Sequence, residues 1–542
     1  MNSVLLRKVR QVASEPVLRK WLVERFLGRH GAIPAFRDHC PPYLDGSLPL
    51  ATESPVCRFT ELFSATPNGP ITLHLAGQDV TINPGEERDL FKRSFEDIET
   101  LLSLHRFAWL PPIANNVDPA WVNALWTAWS GTCGKIDESW SWHPYTVSER
   151  AINVCNYAER HGLPAPKAIS AQMLADHGQA IAQNLEYFGE HNTSNHLANN
   201  GRGLFIVGLS LNMLECADLG ARILDEEAKR IFTSSGMLRE GSSHYHLLLA
   251  RNYRLSLDAA RKHAHPVASR LLEIVRRVYS PLPYLNLPGG MPLIGDISPD
   301  IPPSAMSGEF EANIDADPID ADQLIADGWL RADFGPWAGL WHAAPGGWSN
   351  MPGHGHQDCG SFELHYNDTP IFIDPGRGAY GEIGPAALYR SGAVHNSLTI
   401  DGDDPYPPNK PYFSDEFRLR NGGAPPELKP AAEGVSLTYS GYSRLKSVGL
   451  VNRRWSFDGE SMKVSESIAG SRRRTIVHNF CTELSVQKNC DSLIMTGNGM
   501  NFRLKFDRAI GRIELERATR WIAYGKGRTA TFIRAETKND LP

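Results

Sequence analysis

Imidazoles and carboxylates are concentrated in one short stretch, GHGHQDCGSFELHYNDTPIFIDPG, at residues 353–376. His354 and His356 are two positions apart, so on a strand their side chains point to the same face. Asp374 ends the second strand of the predicted hairpin, and His395 opens the strand that follows. Imidazole and carboxylate groups in this pattern suit zinc, while hydrogen-bonded sheet histidines without a metal are the simpler interpretation.

A second polar group, HNTSNHLANNGRG at residues 191–203, precedes an apolar helical run. Ser194 or Asn195 can cap that helix through its side chain. Asn195 and His196 can instead bind a carboxylate, because both offer hydrogen bonds and the helix N-terminus adds positive potential. The residue types support capping and binding equally.

A third candidate is Tyr245 in REGSSHYHLLL, residues 239–249. An aromatic residue at the start of an apolar helical run usually belongs to the core. The polar residues and the glycine before it indicate a loop that presents the phenol instead. A tyrosine can serve as a general acid or base when cationic neighbours lower its pKa.

The elements that position these residues fall into two kinds, and the first kind is helical. Up to about residue 280 the apolar residues recur at helical spacing, and residues 196–220 predict one helix ending at Gly220. Serial helices joined by short loops indicate an α/α toroid or a solenoid, and no fixed-period repeat supports the solenoid. The further predicted helices lie within residues 89–113, 119–131, 223–232, 245–264 and 269–285.

From about residue 335 the apolar period changes to two, which predicts strands. Residues 361–376 predict a hairpin with Asn367 and Asp368 at its tip, and residues 453–468 predict another that turns at Asp458 and Gly459. Further strands are expected within residues 397–402, 500–507, 511–525 and 528–537. This half therefore predicts a large antiparallel sheet assembly.

Residues 286–310 are rich in Pro, Gly and Asp and indicate the boundary between the two halves. The predicted division is an N-terminal extension of mixed structure (1–90), a helical domain (91–330) and an antiparallel β domain (331–542). A cleft between two such domains is the default place for a ligand.

Composition excludes several classes of protein. The net charge of −6 over 542 residues argues against a nucleic-acid partner, which would favour a basic excess. Eight scattered cysteines form no CxxC pair, so free thiols are expected. Neither a secretory signal nor an apolar run of membrane-spanning length is visible. A cytoplasmic location is therefore expected, with a periplasmic one as the alternative, and a monomer or homodimer that does not span a membrane.

Several motifs occur here in the order found in one enzyme superfamily: SNHLANNGRGLFIVG, REGSSHYH, PLIGD, GHGHQDCGSFELHYNDTPIFIDPG and YRSGAVHNSLTIDG. Together with SLHRFAWLPP and WHPYTVSERAIN, they make the chain resemble the heparinase II/III-like polysaccharide lyases over roughly residues 95–410. The resemblance implies an α+β multidomain chain, with an incomplete N-terminal α/α toroid followed by a C-terminal antiparallel β-sandwich domain.

The resemblance also implies an activity, the β-elimination of uronate-containing polysaccharides or oligosaccharides. It assigns Asn195 and His196 to the uronate carboxylate. Tyr245 becomes the catalytic acid and possibly the base, and His354 the second catalytic group. A further tyrosine after Asp-Pro-Gly is expected, for which Tyr380 is favoured over Tyr389. The implied metal is zinc, with calcium less favoured, and its ligands would be His356, Asp374 and His395.

Other residues near these motifs are candidates for binding an acidic substrate or its sugar rings. Solvation is the alternative for each arginine, and core packing for each aromatic residue. The candidates are Tyr145, Arg150, Arg239, Asp296, Tyr389 and Arg390, with Trp140 and Trp142 as further stacking residues.

Two other functions stay open at this point. A glycoside hydrolase on the same scaffold needs two carboxylates across the cleft, and Glu240 and Asp296 are the best pair available. A non-catalytic carbohydrate-binding or surface-polysaccharide assembly protein would keep the fold but tolerate the loss of Tyr245 or Asn195. Both residues are present, which favours catalysis.

Overall fold

The computed structural model describes most of the chain. The described residues are 13, 23, 26–28, 40–44, 54–62, 65–187, 193–347, 353–381, 383–406, 420–470, 473–489, 492–507 and 509–540.

The first half of the described chain is mostly helical. A small antiparallel hairpin, β1 (Ile71–Leu75) and β2 (Gln78–Ile82), precedes the helices. The helices are α1 (Glu87–Leu90), α2 (Ile98–His105), α3 (Leu110–Ile113), α4 (Pro119–Cys133), α5 (Pro144–His161), α6 (Lys167–Gln183), α7 (His196–Leu211), α8 (Leu214–Ile231), α9 (Ser243–Lys262), α10 (Ala268–Tyr279), α11 (Leu282–Leu285) and α12 (Ala321–Ala326).

Two helix predictions were wrong in their extent. The single helix expected over residues 196–220 is two helices, because Asn212 adopts a left-handed conformation (φ 53°) that ends α7. The segment 89–113 forms three short helices. Within it Asp97 caps α2 by accepting a hydrogen bond from the Glu99 amide. Apolar spacing alone does not show such breaks.

The second half consists mainly of antiparallel strands, with a short helix, α13 (Pro385–Leu388), between β6 and β7. The sheets have the orders β3-β4-β5-β6, β11-β10-β9-β8, β16-β17-β12-β7 and β13-β14-β15. The strands are β3 (Trp329–Phe334), β4 (Trp337–His342), β5 (Ser361–Tyr366), β6 (Thr369–Phe372), β7 (Leu398–Ile400), β8 (Glu427–Ala431), β9 (Gly434–Tyr439), β10 (Val448–Phe457), β11 (Met462–Gly470), β12 (Arg473–Thr482), β13 (Ser485–Asn489), β14 (Ser492–Gly497), β15 (Met500–Lys505), β16 (Ile510–Ala523) and β17 (Lys526–Asp540).

The two predicted hairpins are present in the expected register. Tyr366 pairs with Thr369 across the first turn, and Phe457 pairs with Met462 across the second. The core between the sheets is aromatic: Trp455 of β10 contacts Trp341 of β4 edge-on, with ring centroids 6.0 Å apart. Face-to-face packing of antiparallel sheets over such a core is the sandwich arrangement.

One of the places where the helical and β parts meet is residues 292–298, called here the junction segment. On the helical side, Ser242 and Ser243 at the start of α9 donate to the carbonyls of Asp296 and Pro292. On the β side, the Asp296 amide donates to the His354 carbonyl, and Asp296 bridges to Arg377 as a parallel β partner. The start of α9 is thereby fixed against the segment that carries His354 and His356, which is a loop before β5 and not the strand expected from the sequence.

No helix in the described part of the chain is long and apolar enough to cross a membrane. The predicted domain boundaries at 90 and 330 stay a prediction, although the first strand of the β half begins close to the second one, at Trp329.

Arg150, expected to bind substrate, is instead completely buried in the helical core. Its guanidinium lies over the Trp129 ring, 3.9 Å from the centroid, and donates to His177 and to the carbonyls of His105 and Ser141. Burial lowers the pKa of Arg150 well below its ordinary value. The structure gives it the role of satisfying buried acceptors, so the binding assignment was wrong.

We expect Arg150→Met to lower the free energy of unfolding by about 2 kcal/mol, because two buried carbonyls and an imidazole lose their donor. Denaturant unfolding measures this change. The matched control is Arg512→Met, since the Arg512 side chain is 66% exposed and its loss should change stability by less than about 0.5 kcal/mol. Equal stability changes in the two variants would contradict the assignment.

Candidate active site

Four parts of the chain bring the predicted catalytic side chains together. Asn195 and His196 stand at the start of α7, and Tyr245 lies in the first turn of α9. His354 lies in the loop before β5, and Tyr380 in the loop after β6. The contacts below join these side chains into one cluster.

Asp296, in the junction segment, is the buried carboxylate on which the two histidines converge. Its Oδ2 accepts from His354 Nδ1 at 3.1 Å and its Oδ1 from His356 Nε2 at 2.8 Å. The Arg377 guanidinium contacts both oxygens, at 3.1 and 3.3 Å. Burial favours the neutral acid, but the two imidazoles outweigh it and hold the pKa of Asp296 far below its ordinary value.

Because Asp296 is only 3% exposed and its oxygens are occupied by these three partners, it does not border an open cleft as expected. Its place in the structure is that of a positioning group. An ionised carboxylate only accepts, so His354 Nδ1 and His356 Nε2 carry the hydrogens. His354 Nε2 and His356 Nδ1 are the nitrogens left for other chemistry.

His354 is held on its other sides by Glu240 and Tyr245. Its Nε2 lies 3.4 Å from Glu240 Oε2, and its ring stacks on the Tyr245 ring with a centroid distance of 3.5 Å and an angle of 9°. The side chain keeps 14% of its surface exposed. It is therefore fixed in orientation but still reachable.

Tyr245 and Tyr380 form a pair of phenols whose oxygens are 2.7 Å apart. Tyr380 donates its hydrogen to the Ile297 carbonyl at 2.9 Å, so Tyr245 is the donor between the two phenols. Burial raises the pKa of Tyr245 well above its ordinary value. The phenol therefore keeps its proton at neutral pH.

Asn195 is fixed by the fully buried Glu240 carboxylate. The backbone N–H of Asn195 donates to one oxygen of Glu240 and the side-chain Nδ2 to the other, each at 2.7 Å. This pair of bonds determines which end of the Asn195 side chain faces Glu240, since the carboxylate accepts only. One hydrogen on Nδ2 is left to donate elsewhere.

His196 is held by a second buried carboxylate, Glu186, with Nδ1 2.7 Å from Oε1. Burial favours the neutral ring, but Glu186 raises the pKa of His196 above its ordinary value. Burial likewise opposes charge on Glu186, yet His196 and His143 lower its pKa to about 2. The imidazole is 39% exposed and so offers a positive charge at the surface of the site.

Tyr145 lies beside His196, with ring centroids 4.5 Å apart. Its hydroxyl donates to Asp300 at 2.7 Å, and the Arg106 guanidinium lies over its ring at 4.8 Å. Tyr145 is a predicted substrate-binding residue, and it directly contacts the predicted catalytic residue His196.

The predicted metal ligands lie together, but only two of them leave a ligand atom unpaired. His356 Nδ1 and His395 Nε2 are buried without a hydrogen-bond partner, and their rings are 5.2 Å apart. Asp374 instead accepts from His395 Nδ1 and from the Gly376 amide. Imidazole nitrogen is a common zinc ligand, so these two buried lone pairs are of a type that suits zinc. Within the described residues, no group of three or more His, Cys, Asp or Glu side chains is arranged to hold a metal.

Three predicted substrate-binding residues make contacts with residues outside the cluster. The Tyr389 hydroxyl accepts from the Thr519 amide, and its ring packs on Trp521. Arg239 borders a small cavity lined also by Trp329 and His342. Arg390 contributes its carbonyl to the Gln357 amide. Of the two stacking candidates, Trp142 is buried in the core, and Trp140 packs on His143.

Several residues of the site escaped the sequence analysis. Glu186 and Arg377 carry no local signal, because a single charged residue in a loop is ordinarily solvated. Glu240 was considered only as a hydrolytic carboxylate, although its place five residues before Tyr245 was a usable signal.

The comparisons with known proteins agree with this architecture. Residues 323–538 match the family model described as "Heparinase II/III-like, C-terminal". Over these residues the chain is similar to that family. The predicted resemblance is thereby confirmed. The sequence matches no curated protein.

Solved structures extend the similarity over both halves. A crystal structure of heparinase III superposes with a TM-score of 0.63 at 17% identity, covering 83% of this chain and 77% of that one. A heparan sulfate lyase from Pedobacter heparinus gives 0.51 at 16% identity, covering 85% and 78%. The predicted fold class, a helical toroid followed by a β-sandwich domain, is confirmed.

We expect Asp296→Asn to lower the free energy of unfolding by about 3 kcal/mol at neutral pH, because Arg377 loses its buried partner. The folded-state pKa of Asp296 lies below the unfolded value, so its stabilisation is present above about pH 4 and is lost as pH falls further. The difference between wild type and variant should therefore shrink in acid, as measured by denaturant unfolding at several pH values.

The exposed Asp368→Asn at a hairpin tip is the control for this substitution. It should leave stability nearly unchanged at every pH. A difference between wild type and Asp296→Asn that stays constant down to pH 2 would show that Asp296 is not held ionised.

Proposed function

We propose that this protein is a polysaccharide lyase that cleaves a uronate-containing polysaccharide or oligosaccharide by β-elimination. The observation that carries the proposal is the convergence of an amide, a phenol and two imidazoles from distant parts of the chain. Its fold, similar to that of heparinase III, supports the same class of reaction.

The first requirement of β-elimination is to make the proton at C5 of the uronate acidic. That proton resists removal while the neighbouring carboxylate keeps its full charge. His196, whose pKa is raised by Glu186, would meet the carboxylate as an imidazolium. The free hydrogen on Asn195 Nδ2 would donate to the same group. Preorganised donors of this kind stabilise the charge that develops in the transition state.

The second requirement is a base at C5 and an acid at the leaving oxygen. We assign the base role to His354 Nε2, which would take the C5 proton: Asp296 holds the hydrogen on Nδ1, and the Glu240 carboxylate 3.4 Å from Nε2 would stabilise the imidazolium that forms. Tyr245 is suited to the acid role, because its raised pKa keeps the phenol protonated. The C5–H electron pair forms the C4–C5 double bond, the C4–O bond breaks, and the leaving oxygen takes the Tyr245 proton. Each correctly placed group contributes a factor of about 10² to 10⁴.

The position of Glu240 and Asp296 favours a lyase over a glycoside hydrolase. The two carboxylates lie on opposite sides of the His354 ring, 3.4 and 3.1 Å from its nitrogens. Both are buried, and their oxygens are occupied by hydrogen bonds. A hydrolase needs its two carboxylates on either side of the scissile bond, with room for a sugar between them.

A non-catalytic binding role is less well supported. A binding site needs no phenol stacked on an imidazole that a buried carboxylate holds in place, whereas this site has Tyr245 stacked on His354 and His354 bonded to Asp296. Such combinations are typical of catalytic sites.

The screen that tests the function incubates the protein with acidic polysaccharides and follows the ultraviolet absorbance of a new C4–C5 double bond. We expect absorbance with at least one of heparan sulfate, alginate, hyaluronan, chondroitin and bacterial surface glycans. Tyr245→Phe should lower the rate at least about 100-fold, because the acid is removed.

The matched control is Tyr253→Phe on the same helix, whose buried hydroxyl donates only to the Leu224 carbonyl. It should keep the wild-type rate. If Tyr245→Phe and Tyr253→Phe lose the same small fraction of activity, Tyr245 is not the acid.

We also propose that zinc binds through His356 and His395. Asp374 is the third residue of the predicted ligand set. Zinc there would orient the loop that carries His354, and the elimination itself would be carried by the protein's own groups. We expect His356→Ala to lose at least about tenfold in bound zinc by elemental analysis and to melt at a lower temperature. His74→Ala, at an exposed histidine of β1, is the control. Wild-type protein that binds no zinc at neutral pH would refute this proposal.

A further inference from the structure

The tip of the hairpin formed by β16 and β17 lies against the loop that carries Tyr380. The Trp521 amide donates to the Pro375 carbonyl at 2.8 Å, and the Gly525 amide donates to the Gly378 carbonyl at 2.7 Å. The Trp521 ring covers Gly378 so closely that an added Cβ would lie 2.5 Å from it. A segment near the C-terminal end of the described chain therefore fixes the backbone just before Tyr380.

Tyr524, at the same tip, makes two hydrogen bonds through its hydroxyl. It accepts from the Tyr380 amide at 3.2 Å and donates to Asp97 Oδ2 at 2.8 Å. Its ring packs edge-on against the Tyr380 ring, with centroids 5.1 Å apart, and only 6% of its surface is exposed. Asp97 is the N-cap of α2, so the hydroxyl joins the Tyr380 loop to the helical half.

The tip also packs against the turn between β1 and β2, from the N-terminal part of the chain. Gly525 has a φ of +68°, and a Cβ there would lie 2.3 Å from the Cα of Gly77, in the turn between β1 and β2. Glycine at residue 525 is required by both the conformation and the contact. The tip is thus held among three separate parts of the chain, and Tyr524 is its side chain that reaches Tyr380.

We propose that Tyr524 is a positioning residue for the elimination, which holds Tyr380 so that its oxygen receives the Tyr245 hydroxyl. Tyr380 has one hydrogen bond to Ile297 and one to Tyr245, and both depend on where its backbone lies. Tyr524 touches neither substrate nor reacting atoms, and it acts through Tyr380. The inference rests on the proposed function, in which Tyr245 is the acid.

The decisive variant is Tyr524→Phe, which keeps the ring and removes only the hydroxyl. We expect kcat to fall about tenfold with KM changed less than twofold, because the acid is displaced while the carboxylate site is intact. Tyr442→Phe is the matched control: its buried hydroxyl donates a single bond to the Leu398 carbonyl in the β half. It should show a similar loss in melting temperature and wild-type kcat.

A double-mutant cycle separates positioning through Tyr380 from a general loss of stability. If Tyr524 acts through Tyr380, then Tyr524→Phe should have almost no further effect on kcat in a Tyr380→Phe background. Additive losses in the double variant would overturn the proposal, as would a wild-type kcat in Tyr524→Phe or an equal loss in Tyr442→Phe.

A readout that needs no activity is amide hydrogen exchange in residues 376–381. Tyr524→Phe should speed exchange there, and Tyr442→Phe should not. Faster exchange in a protein that cleaves none of the polysaccharides would refute the proposed reaction and leave the tip contact standing. Unchanged exchange would refute the role of Tyr524 whatever the activity.

Discussion

The site depends on one constraint, the placement of the junction segment between the two halves of the protein. Residues 292–298 bond to the first turn of α9 on one side and to the loop residues His354 and Arg377 of the β half on the other. Gly295 makes this possible: its φ is +81°, and a Cβ would lie 2.7 Å from the Gly241 carbonyl and 2.8 Å from the His354 carbonyl. Asp296 then follows with its carboxylate between two imidazoles and a guanidinium. This segment thereby helps to fix the phenol of Tyr245, from the helical half, relative to the imidazole of His354, from the β half.

A second theme is that each of three functional groups of the site is held by a buried acceptor. Glu186 holds His196, Glu240 holds Asn195, and Asp296 holds His354. Because a carboxylate only accepts hydrogen bonds, each one also determines which hydrogens remain for the substrate. Burying three carboxylates costs free energy that the paired imidazoles and amides offset. As a result, the orientation of these donors is fixed before any ligand binds.

Periodicity predicted the division into helical and β halves, because burial of one face imposes the periods of 3.6 and 2 on any such chain. The break at Asn212 was missed, since a left-handed residue leaves no trace in apolar spacing. The resemblance identified Tyr245, His354 and Tyr380, which the structure brings together. It could not show that Asp296 lies beneath the histidines or that Arg150 is buried in the core. Those positions follow from long-range contacts, such as that of Asp296 with Arg377, which neither spacing nor residue type encodes. Tyr524 is the extreme case, a residue 144 positions from its partner Tyr380.

The central claim is that the C4–O bond of a uronate breaks by elimination and not by attack of water. Digestion in oxygen-18 water, followed by mass spectrometry of the products, tests it most directly. Elimination leaves both new chain ends free of oxygen-18 at the moment of cleavage and produces an unsaturated uronate. Brief digestion should therefore give unlabelled, unsaturated products. Saturated products that carry one oxygen-18 atom would contradict the account and identify a hydrolase.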